Sequence, residues 1–72
     1  MDQEAFNLSI RKFLKHFGVT AQREIEQAVQ RGLADGTLRG SEAIPVRATL
    51  VVGGLVQDFS IDGEITLEPP ES

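Results

Sequence analysis

The alternation of residues 44–67 about the pair Gly53-Gly54 limits this chain more than any other feature. Glycine adopts positive φ without steric penalty, so the pair predicts a two-residue hairpin turn joining two strands. In the register such a turn sets, Val52 faces Leu55, Leu50 faces Gln57, Ala48 faces Phe59, Val46 faces Ile61 and Ile44 faces Gly63, all on one nearly apolar side. Arg47, Thr49, Asp58, Ser60, Asp62 and Glu64 fall on the other side, with Val51 and Val56 beside the turn. One side is thus fit for a core and the other for water.

Asp62-Gly63 leaves two paths open. A two-residue turn there would put polar groups on the core side, whereas an uninterrupted strand keeps Ile61, Ile65 and Leu67 in phase with Phe59. The reading adopted is one long second strand, bent or bulged at Gly63, with a three-stranded meander as the alternative. Pro45 has no N–H to give to a ladder and confines the first strand's beginning to an edge or a bulge.

Upstream, Phe6, Ile10, Phe13, Leu14 and Phe17 recur at spacings of four, three, one and three, which predicts a helix over residues 2–17. Gly18 is read as its left-handed cap. Thr20 is read as the N-cap of a second helix, whose inner face is Ala21, Ile25, Ala28, Val29 and Leu33. The small residues Ala21, Ala28 and Gly32 suit a close approach to another element, and Asp35-Gly36 ends the helix. The expected fold class is α+β: two N-terminal helices packed on one face of a C-terminal antiparallel β-hairpin. It forms a single domain over residues 1–68 with a disordered tail at 69–72. The expected core is Phe6, Ile10, Phe13, Leu14, Phe17, Ile25, Val29, Val46, Leu50, Phe59 and Ile61.

A chain of 72 residues without cysteine has neither a disulfide nor a thiolate metal site to supplement its core. At this size a core alone rarely gives more than about 3–5 kcal/mol. Good helix packing or self-association are the remaining staples; the second is favoured, and two strands leave two edges through which a homodimer could form. Charge is uneven: residues 1–40 carry six basic and five acidic side chains, residues 41–72 one basic and six acidic. The acidic half weighs against nucleic acid as a partner. No apolar run approaches the roughly 20 residues that span a bilayer. The start Met1-Asp2-Gln3-Glu4 lacks the features of a signal peptide, and a cytoplasmic protein is the expectation.

Three patterns could carry chemistry. Residues 58–66 match the first nine positions of an EF-hand loop, with Asp58, Ser60 and Asp62 as oxygen ligands and Gly63 at the turn. The required twelfth-position glutamate is Pro69, however, and the same residues are explained as the wet side of a strand. The segment around Gly18 has the look of a helix-turn-helix, presenting Gln22, Arg23, Gln27, Gln30 and Arg31 to bases or phosphates. A plain αα-hairpin with those residues as a solvated face is the preferred reading, since no third helix is visible and the neighbouring hairpin is acidic. For catalysis there is one histidine, His16, on the polar side of its helix. Ser9, Ser41 and Ser60 lack a nucleophile's surroundings, Gly53-Gly54 is too short to cradle a phosphate, and Asp62 and Glu64 lie on a solvated face. No catalytic, cofactor or metal residue is assigned and no cofactor is expected. The expectation is a non-catalytic protein-interaction module, touching partners through the acidic outer strand face or the Leu8 side of the first helix.

The chain resembles a small family of bacterial proteins classed as a domain of unknown function. The likeness rests on residues 6–15, on Gly18-Val19-Thr20 with residues 22–26, on residues 52–55, and on Phe59 with residues 61–65. It implies a bacterial source and a complete member of the family, and it carries over no activity.

Overall fold

A computed structural model describes residues 1–69 and shows one α-helix followed by two strands: α1 (Gln3–Asp35), β1 (Ala43–Val52) and β2 (Val56–Thr66). The architecture is α+β, as expected, but the two expected helices are one. The tail expected at 69–72 falls, but for Pro69, outside the described residues. The chain divides into two compact units, Met1–Thr37 and Leu38–Ser72.

Helix α1 starts where Asp2, in extended conformation, accepts the Glu4 and Ala5 amides on Oδ1 at 3.0 and 3.2 Å. It ends at Gly36, whose φ of 84° is the left-handed turn that glycine adopts freely. Between these caps Gly18 and Thr20 are ordinary helical residues rather than a cap and an N-cap. The reason lies in phase. Phe17, Ala21 and Ile25 follow at steps of four, so the apolar stripe of the first half runs without a break into that of the second. An interior glycine costs a helix about 1 kcal/mol, too little to stop one whose caps stand at Asp2 and Gly36.

No residue of α1 is buried, and its stripe is open, with exposures from 40% at Ile10 to 53% at Phe13 and Leu14. Of the expected core residues, Phe6, Ile10, Phe13, Leu14, Phe17, Leu50, Phe59 and Ile61 are exposed. Ile25, Val29 and Val46 are partly covered.

In the hairpin the loop has three residues, Gly53-Gly54-Leu55, and Val52 pairs with Val56. The Leu55 amide donates to the Val52 carbonyl at 2.8 Å, and Gly54 takes the positive φ, 71°. The strand then shifts register. Between the Val52–Val56 and Leu50–Phe59 pairs, Val51 stands opposite both Gln57 and Asp58, a bulge in which Asp58 has φ 60°. The resulting pairs are Leu50–Phe59, Ala48–Ile61, Val46–Gly63 and Ile44–Ile65 on the apolar face. From Leu50–Phe59 to the far end the expected register is thus off by two residues, which leaves those side chains on their expected faces. Beside the turn it is off by one, with Val52 paired to Val56 instead of Leu55, and the expected places of residues 55–57 do not hold. The second strand is single and long, as read, but its bulge lies at Gln57-Asp58 and not at Gly63, which pairs regularly.

The Asp58 backbone sets a testable cost. Left-handed φ disfavours L residues by roughly 1–2 kcal/mol, aspartate being among the more tolerant, and β-branched side chains suffer most. Asp58→Val should therefore destabilise the hairpin by about 1–2 kcal/mol while Asp58→Gly does not, as read by thermal melts at one fixed concentration.

Candidate functional site

The residues singled out for chemistry do not converge. His16 is exposed in the middle of α1, and Gln22, Arg23, Gln27, Gln30 and Arg31 lie along the same unbroken helix. The helix-turn-helix frame on which their reading rested is absent. Ser9 donates from Oγ to the Phe6 carbonyl one turn earlier at 2.8 Å.

Residues 58–66, set out as an EF-hand loop, lie within β2. Asp62 accepts from Arg47 Nε at 2.6 Å, and Ser60 Oγ lies 3.0 Å from Thr49 Oγ1 across the strands. These contacts pair side chains that face each other, Arg47 with Asp62 and Thr49 with Ser60. The outer strand face is consequently a polar ladder, with the Asp62 charge balanced by Arg47, and not a uniformly acidic surface. Both members of the ion pair are about two-thirds exposed, so it contributes at most about 1 kcal/mol. A shallow depression of about 400 Å³ lies against Pro45, Val46, Arg47, Asp62 and Gly63. Among the described residues no group of three histidine, aspartate or glutamate side chains is placed to hold a metal ion. No helix there is long and apolar enough to cross a membrane.

The best-formed polar cluster is one the sequence reading passed over. In the connection that leads into β1, the Glu42 carboxylate accepts the backbone amides of Arg39 at 2.8 and 3.1 Å, Gly40 at 2.9 Å and Ser41 at 3.2 Å. Gly40 makes the turn possible with φ 102°. The signal was present as Gly40-Ser41 followed at once by a carboxylate able to fold back onto the turn. The Arg39 amide, then Glu42's own and with smaller effect those of Gly40 and Ser41, hold the Glu42 carboxyl below its ordinary value against a small opposing desolvation. Asp35 is held low likewise, by the Thr37 hydroxyl and then by the Thr37 amide, which donates to Oδ1 at 2.9 Å.

A carboxylate whose folded-state pKa is depressed stabilises above its unfolded value, and this is lost as pH falls through the folded one. On acidification the amides of residues 39–42 should shift together in ¹⁵N–¹H spectra. Their midpoint should lie below the ordinary glutamate range, and Glu42→Gln should abolish the transition.

The described residues offer an apolar stripe along α1, an apolar ribbon face and a ladder of paired polar side chains. No curated protein and no solved structure matches the chain. A family model does match residues 1–68, nearly the whole sequence, and the chain belongs to that family, a family of unknown function designated DUF6494.

Proposed function

We propose that the chain is a small, non-catalytic interaction module that acts by associating with itself. The observation behind this reading is the open apolar surface of each unit. Helix α1 has no buried residue, and on the ribbon Leu50, Phe59 and Ile61 are exposed, Phe59 by 52%. An isolated helix in water draws little stability from propensity alone, and a lone two-stranded hairpin is marginal. Elements of this kind persist when their apolar faces are covered. A bacterial cytoplasmic setting accompanies the proposal, supported by the cysteine-free composition. The non-catalytic reading draws on the exposure of His16, the one histidine, and on the engagement of Asp35 and Glu42 by backbone amides and of Asp62 by Arg47.

Sedimentation equilibrium across micromolar to millimolar concentrations tests the proposal. The expected result is a reversible rise in mass to an integral multiple of the chain, with helicity by circular dichroism rising in parallel. A monomer at millimolar concentration would overturn it.

A further inference from the structure

The two halves of the α1 stripe differ in size and in charge, and each difference fits the opposite half. In the first half the stripe is bulky, with Phe6, Ile10, Phe13, Leu14 and Phe17; in the second the small Ala21, Ala28 and Gly32 alternate with Ile25, Val29 and Leu33. Residues 3–18 carry Arg11, Lys12 and Lys15 against Glu4, whereas residues 20–35 carry Glu24, Glu26 and Asp35 against Arg23 and Arg31.

We propose that the occupant of this stripe is the α1 helix of a second copy, running antiparallel and centred at Val19, the midpoint of Gln3–Asp35. About that centre Phe6 meets Gly32, Ile10 meets Ala28, Phe13 meets Ile25 and Phe17 meets Ala21. At three of these four places a large side chain seats against a small one, the arrangement that fills an interface without voids. The net positive half of each helix lies on the net negative half of the other, with Lys12 opposite Glu26 and Lys15 opposite Arg23 as the one like-charged meeting. A parallel pair would set phenylalanine against phenylalanine and cation against cation. The strand edges are poorer sites: β1 has no N–H at Pro45, and β2 carries the Asp58 bulge and the charges of Asp62 and Glu64.

This inference rests on the self-association proposed above and adds its orientation. Because the chain has no cysteine, spin labels can be placed singly in the full-length protein at Glu4→Cys and Gln22→Cys. At a rise of 1.5 Å per residue, the antiparallel pair puts two Glu4 labels about 45 Å apart and two Gln22 labels within about 25 Å. A dimer with close Glu4 labels, or with distant Gln22 labels, would overturn the orientation while leaving self-association intact. A monomer, including one whose stripe is covered by its own ribbon, would overturn both. In the same protein Ala28→Leu should weaken the dimer at least tenfold by overfilling the seat of Ile10. Tighter association from the added apolar area would overturn the large-against-small fit.

Discussion

Phe17→Asp is expected to lower the self-association constant at least 100-fold, with the sedimenting species becoming monomeric at concentrations where the parent chain is assembled. Phe17 lies on the α1 stripe and is 47% exposed in the free chain. Its replacement therefore removes little from the monomer beyond a modest difference in helix propensity. Assembly is another matter. Fully covering an exposed phenylalanine side chain is worth about 1.5–3 kcal/mol; about half of Phe17 is left to cover, and a symmetric pair covers two, so the change costs the dimer about 1.5–3 kcal/mol before any charge is buried. Desolvating the two introduced carboxylates adds several kcal/mol more, which carries the loss past 100-fold. Leu8→Asp is the control. Leu8 is more exposed, at 65%, and lies off the stripe near Lys12 and Lys15, so the same substitution there should leave association within a few-fold of the parent. If Leu8→Asp dissociates the protein and Phe17→Asp does not, the contact runs along the Leu8 side, and both the stripe and the antiparallel arrangement are wrong.

The comparison of these two residues shows what a period of hydrophobicity can and cannot convey. The stripe from Phe6 to Phe17 and the division of the ribbon into faces follow directly from repeats near 3.6 and of 2, and the structure keeps the first and, from Leu50–Phe59 to the far end, the second. What a repeat of two cannot fix is a slip of two. With Leu50 opposite Gln57 or opposite Phe59 the same residues face the same side, so apolar pattern alone is blind to the three-residue loop and the Asp58 bulge. The discriminating information sat on the wet face. Only the observed register sets Arg47 against Asp62 and Thr49 against Ser60, pairs whose charge and hydrogen-bonding capacity match. The Glu42 cluster was hidden for a different reason: its partners are backbone amides, and a side chain's reach to the main chain leaves no periodic trace. The exposure of the apolar side chains was likewise beyond reach, because composition says how much apolar surface exists and not what covers it.

Gly18 offers the sharpest division between one helix and two. As the left-handed cap of a first helix, it would make any side chain costly there. As an interior residue of Gln3–Asp35, without positive φ and with nothing within 4 Å of the place a Cβ would occupy, it should accept one freely. Gly18→Ala is accordingly expected to stabilise each chain by about 1 kcal/mol, mainly by reducing the freedom of the unfolded backbone. For a domain of this size, such a gain raises the melting temperature by about 4–8 °C at constant concentration. Gly18→Pro should do the reverse and more, since proline removes an amide from the middle of the helix and crowds the carbonyl four residues earlier, at a cost of about 3 kcal/mol or more. In a two-helix protein the order would invert, with alanine strained in the cap. The pair also bears on assembly, because an antiparallel contact centred at Val19 needs a straight helix on both sides of Gly18. Gly18→Pro should therefore lose association together with helicity, whereas Gly18→Ala, which leaves the stripe untouched, should hold or tighten it. A proline variant that still associated at parental strength would place the contact outside α1.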